Sequence, residues 1–278
     1  MTRTFRVAVL LLALPFSGAR AQAPESDTTS AAWVVRQFYA SHAFPGLAAH
    51  ITGEYKENYA TAATMGSRLP PGVAVTSRPL LADAQQAVFA TALRDTAKAE
   101  DWYTYLRREQ GVWKIEAVRT LALPPLVYML LDTLQEGRKS GTLGELDARL
   151  LENLRLTTQS DSALKAYLVA HQPALLAVAQ HFAAIPGAEG ISEEGKVRGS
   201  APEAGRRQLA AELRALHLNG VMRLPSAPHC IFIVIGGMLD NQVGYIYAPD
   251  GCAPPPLSPS EYIYVERVAP GWYIYKTT

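Results

Sequence analysis

Cys230 and Cys252 are the only thiols in the chain. Cys230 opens the apolar run Ile231–Ile235, and Cys252 follows the run Val243–Tyr247. Asp240 and Asn241, between them, form a turn pair. A hairpin centred near Asn241 places the two sulfurs across its base, so the spacing predicts a disulfide. A redox or nucleophilic thiol is the competing reading, favoured only by His229 beside Cys230. No Cys-x-x-Cys occurs, and nothing basic precedes Cys252.

Tyrosine is the other concentrated chemistry. Tyr-Ile-Tyr occurs three times, at Tyr245/Tyr247, Tyr262/Tyr264 and Tyr273/Tyr275. Side chains alternate along a strand, so each triplet directs two phenols to one face and an isoleucine to the other. If these strands are neighbours in matching register, six phenols share one face. Such a face suits a glycan, a peptide or a partner protein. The opposing reading is a buried aromatic layer with hydroxyls at its rim, and the wholly apolar run Ile231–Ile235 favours it. Tyr103, Tyr105 and Arg107 form a second alternating set, able to line a pocket in the N-terminal half.

Hydrolytic and metal chemistry find little support. Ser162-Ala-Leu-Lys165 matches a Ser-x-x-Lys pattern, but its companion motifs are missing, so Ser162 reads as a helix cap and Lys165 as a solvated charge. There is no Gly-x-Ser-x-Gly elbow, phosphate-binding loop, dinucleotide fingerprint or His-Glu-x-x-His. The six histidines are scattered without ligand spacing. No catalytic residue, metal or cofactor is assigned.

The elements that position these residues follow from periodicity. Trp33, Val34, Phe38 and Tyr39 recur at helical spacing within Ala31–His42. Residues 65–73 read as a loop. Gln86–Arg94, Trp102–Glu109 and Val112–Leu121 read as strands, the last two joined at Gln110-Gly111. Helices are expected after Pro124-Pro125, after the capping-box pattern Thr142-x-x-Glu145, and from Ser160 or Asp161 towards Ile185, with Pro173 as a kink or break. Leu143, Leu146, Leu150, Leu151 and Leu154 mark one apolar face on the second of these. Residues 186–205, rich in glycine, read as a flexible linker. A helix over about 203–218 then leads into strands.

The ending Gly-Val-Trp-Lys-Ile-Glu-Ala-Val at Gly111–Val118, after two long strands and an N-terminal helix, resembles the nuclear transport factor 2-like superfamily over Ala31–Ala122. The resemblance implies a bent sheet wrapped around helices, often with a cone pocket. Its enzymes are isomerases and dehydratases that use pocket Asp, His or Tyr residues, and many members have no known activity. Asp95 and Asp101 fall at a strand turn and no histidine follows His50 in this segment, so no catalytic residue carries over.

Composition bounds the rest. In 278 residues, 26 basic side chains face 25 acidic ones, which gives no excess directed at nucleic acid or an anionic surface. Arg3 and Arg6, the apolar run Val7–Leu14 and the small-x-small site Ala19-Arg20-Ala21 have the layout of a secretory signal peptide cleaved near Ala21. Cleavage leaves 23 basic against 25 acidic side chains. The later apolar run Leu121–Leu131 is too short to span a bilayer.

The expected fold class is α+β: an N-terminal helix plus curved antiparallel sheet, then a helical segment leading into a C-terminal antiparallel sheet. The expected organisation is a signal peptide (1–21), a nuclear transport factor 2-like module (22–122), a helical segment (123–185), a linker (186–205), and a helix plus disulfide-closed sheet (206–278). The expected function is that of an exported, periplasmic or secreted, non-catalytic binding protein of the cell envelope. Its partner would be an envelope protein, a glycan or a small apolar ligand. The alternative is a small-molecule-binding protein or enzyme that uses a cone pocket in the first module.

Overall fold

The computed structural model describes residues 29–58, 63–96, 99–249 and 251–278. The expected signal peptide and its cleavage site lie outside the described residues.

The fold is α+β, built on two antiparallel sheets. Helix α1 (Ala31–Tyr39) begins where Ser30 Oγ accepts the Trp33 N–H at 3.1 Å. It buries Val34, Val35 and Phe38. A short α2 (Gly53–Asn58) follows. Strands β1 (Ala74–Ala82), β2 (Gln86–Arg94), β3 (Ala99–Glu109) and β4 (Val112–Arg119) then form a simple meander. The sheet is covered on both faces, and β2 shows why its sequence is nearly all apolar. Ala87, Phe89 and Leu93 meet the helical side, while Val88 and Ala90 enter a second core. An irregularity at Tyr105/Leu106, opposite Glu116, keeps Trp113 and Ile115 on the helical side and Ala117 on the other.

Three helices follow: α3 (Pro125–Ser140), α4 (Glu145–Thr157) and α5 (Asp161–Ala183). Proline occupies the first turn of α3, and Gly141 closes it at φ 72°. The capping box expected before α4 does not form; Gly144 occupies the cap without a side-chain bond. Pro173 leaves α5 a single helix. Leu164 and Leu168 before it, and Leu175, Val178 and Phe182 after it, are buried in one core, which holds the two halves together.

The second sheet contains β5 (Ala188–Ser192), β6 (Val197–Gly199), β7 (Gly220–Leu224), β8 (Ala227–Met238), β9 (Asn241–Tyr247), β10 (Tyr264–Ala269) and β11 (Trp272–Lys276). Its order is β10-β11-β9-β8-β7-β5-β6, with α6 (Glu203–Ala215) between β6 and β7 in sequence. Its inner face packs on α5, α6 and the first sheet, so Val88, Tyr103 and Tyr105 share a core with Ile233, Tyr245, Tyr264 and Ile274. The two halves of the chain are therefore built around common apolar contacts.

Two expectations are corrected here. Residues 186–205 are not a structureless linker: they hold β5, β6 and the start of α6. The glycines serve turns and close approach. At Gly199 (φ 83°), a Cβ would stand 2.3 Å from the Gly187 carbonyl oxygen. The β8–β9 turn is Leu239-Asp240, and Met238 pairs with Asn241. That register is too early to place Cys252 opposite Cys230. The disulfide does form, with a Cα–Cα distance of 5.6 Å, because the segment after β9 brings Cys252 back over the outer face. There it covers Phe232, Tyr262 and Tyr275.

Candidate functional site

The chemistry-bearing side chains concentrate at the junction of the two sheets. Asp161, the first residue of α5, and Lys276, on β11, are 4% exposed each. Lys276 Nζ donates to Asp161 Oδ1 at 2.7 Å, and the Tyr103 hydroxyl donates to the same oxygen at 2.8 Å. The Asp161 backbone N–H donates to Asp101 Oδ2 at 2.7 Å, and Arg94 donates to Asp101 Oδ1 at 2.8 Å. The Tyr103 and Tyr264 rings stack at 4.8 Å. The Tyr264 hydroxyl donates to Glu266 at 2.5 Å, and Lys165 donates to the same carboxylate at 2.7 Å. Arg78 of β1 completes that ion pair.

Burial, and then the charge of Asp161, hold the Tyr103 and Tyr264 phenols far above the usual range. Burial also works to raise Glu266, but the hydrogen bonds from Arg78, Lys165 and Tyr264 outweigh it and keep this carboxyl below its ordinary value. These contacts tie β1, β3, β10 and α5 together.

The six repeat tyrosines do not form one platform. Ile274 pairs with Tyr245, and Gly244 pairs with Tyr275, so the β9 and β11 phenols face opposite sides. Tyr245 and Tyr264 are buried in the inner core, with Tyr247 packed against it. Tyr262 and Tyr275 are buried under the disulfide loop, with Tyr273 packed at its side. The Tyr245 hydroxyl donates to the Leu164 carbonyl at 2.8 Å. Tyr103 and Tyr105 do not line a cone pocket either. They point away from α1 into the shared core, where the Tyr105 hydroxyl donates to the Ile263 carbonyl at 3.0 Å. Arg107, half exposed, pairs with Glu109 and Glu116. Ser162 Oγ lies 3.0 Å from Ser160 Oγ, while Lys165 is engaged by Glu266, so the Ser-x-x-Lys pattern makes no catalytic pair. Ser160, not Ser162, caps α5.

Three neighbouring hollows open along α4. A polar one of about 260 Å3 sits over the junction and is lined by Glu100, Asp101, Thr120, Tyr128, Thr157, Thr158 and Lys276, among others. An apolar groove of about 220 Å3 lies between α3, α4 and the end of β8, and shares Leu123 and Thr157 with the first. A third, of about 290 Å3, shares Leu150 and Asn153 with the groove and reaches Arg149, Glu193, Glu194 and Arg214. The elements that form the groove carry exposed apolar side chains: Leu126 at 60%, Met129 at 65% and Leu146 at 73% on the helices, and Leu239 at 87% in the turn after β8. The leucine stripe read on α4 is thus divided: Leu151 is buried, while Leu146 and Leu150 remain outside. Leu239 also adopts a positive φ of 57° at the tip of the β8–β9 hairpin.

Among the described residues, no helix is long and apolar enough to cross a membrane, and no group of His, Cys, Asp and Glu is placed to hold a metal ion. Compared with known proteins, the chain matches no family model, no curated protein and no solved structure.

Proposed function

We propose that this chain is an exported, non-catalytic binding protein of the cell envelope, and that it docks a partner protein on the apolar surface made by α3, α4 and the β8–β9 turn. Leu239 carries the reading. A bulky side chain in the left-handed region costs about 1–2 kcal/mol, where glycine or asparagine would sit without that cost. Here it is held at a hairpin tip with most of its surface in water. Met238 before it lines the groove with Leu126 and Leu130, and Met129 and Leu146 are further exposed apolar side chains of α3 and α4.

The occupant is a protein segment that inserts apolar anchors. The groove beneath is too small for a drug-sized ligand and suits one or two side chains. Exposed Asp147 on α4 and Asp240 in the β8–β9 turn belong to the elements that form the surface. These two carboxylates favour a partner with a basic residue beside its anchors. The N-terminal helix packed on a four-stranded meander supports the resemblance to the nuclear transport factor 2-like superfamily for residues 31–122, as a scaffold.

The test is affinity purification from the native envelope with the wild type, with Leu126→Glu/Met129→Glu and with the control Arg108→Glu on β3. The expected result is a partner retained by the control and lost by the double variant at unchanged melting temperature. Equal recovery with both variants would refute the docking surface.

A further inference from the structure

We infer that the polar hollow over the module junction binds a single sugar ring, at a site that adjoins the proposed docking surface but is lined by different polar side chains. Its wall combines the two components that sugar recognition requires. Tyr128, half exposed at the rim, supplies an aromatic face for the ring's C–H groups. The remaining wall is dominated by hydrogen-bond acceptors that meet hydroxyl groups. Thr120 and Thr158, both partly exposed, each donate their own proton to a backbone carbonyl, those of Asp101 and Leu154. Each hydroxyl oxygen therefore keeps its lone pairs for a ligand O–H. Glu100 adds a carboxylate acceptor.

Lys276 supplies the complementary donor. Its ammonium gives one hydrogen bond to Asp161 and has two more N–H groups, and its side chain forms part of the hollow's wall. Because Asp161 already balances that charge, and Glu100 and Asp101 lie beside it, the site rejects an anion. A neutral polyol satisfies both kinds of group. Burial, and then Glu100, raise the Tyr128 phenol, which keeps it neutral and able to donate.

The experiment titrates the full chain with glucose, N-acetylglucosamine and maltotriose by calorimetry, and repeats it with Tyr128→Ala and Thr158→Val. Both side chains are partly exposed, so the variants fold; a melting curve checks this. The expected result is saturable binding of at least one sugar, with a dissociation constant on the order of 1 mM, weakened about tenfold by Tyr128→Ala. Equal affinity for glucose and maltotriose identifies a glycan end, whereas binding of the single sugars alone identifies a free sugar. Three results would overturn the site: no saturable binding at about 50 mM sugar, binding that both variants retain, or displacement of the sugar by inorganic phosphate. Leu126→Glu/Met129→Glu leaves sugar binding unchanged, which separates this test from that of the docking surface.

Discussion

The Lys276 ammonium lies 2.7 Å from the Asp161 carboxylate, and both are almost wholly buried. This contact joins the last strand of the chain to the first turn of α5. Asp161 also receives the Tyr103 hydroxyl, so one carboxylate oxygen ties both sheets to the central helix.

Removing one partner leaves a buried charge without its counter-ion. Lys276→Met is expected to destabilise the protein by about 3–5 kcal/mol. Combining it with Asp161→Leu removes the orphaned charge, and the double variant is expected to be more stable than the single one. Urea unfolding of the three proteins checks this order.

Alkaline pH attacks the same interior. Burial raises Tyr39 to about 12, and it also raises Tyr103, Tyr105, Tyr245, Tyr264 and Tyr275 above the ordinary phenol value of about 10. These phenols bind their protons more tightly in the folded state than in the unfolded one. The stability this gives is fully present below pH 10 and is lost as pH rises from about 10 through 12, at roughly 1.4 kcal/mol per pH unit per tyrosine. Unfolding free energies measured between pH 8 and 11.5 are expected to be level and then fall steeply.

Reducing the Cys230–Cys252 bond, or replacing Cys252 with serine, is expected to cost roughly 3 kcal/mol. The loop it holds covers Tyr262, whose carbonyl, together with that of Ile263, accepts from Tyr105. Loss of the bond is therefore expected to loosen the first sheet as well, read as faster amide exchange in β3.

Much of the frame was legible in the sequence because periodicity and turn chemistry are local. The β2 strand at Gln86–Arg94, the Gln110-Gly111 turn and the start of α5 at Ser160 are all set by neighbours in the chain. The site was not. Asp101, Asp161 and Lys276 are far apart in sequence and converge only through packing, and a lone lysine two residues from the C-terminal Thr278 carries no spacing signal. The tyrosine repeat misled because register, not composition, decides which face a strand residue occupies. The glycine-rich segment misled because φ > 0 serves ordered turns as well as flexible ones. One signal for the apolar surface was present: α4 carries more leucines than a single buried stripe accommodates.

Leu239 gives a prediction of opposite sign to the others. Leu239→Asn relieves the left-handed strain and is expected to raise stability by about 1 kcal/mol, while weakening partner capture. Gain of stability with loss of binding marks a residue kept for contact.

The most direct measurement is site-specific photo-crosslinking in intact cells, with the reactive residue at Leu146 or Leu239 and a control at the exposed Arg108 on β3. The account predicts one shared protein adduct from Leu146 and Leu239, absent at Arg108 and abolished by Leu126→Glu/Met129→Glu. No adduct at either position, or the same adduct from Arg108, would contradict it.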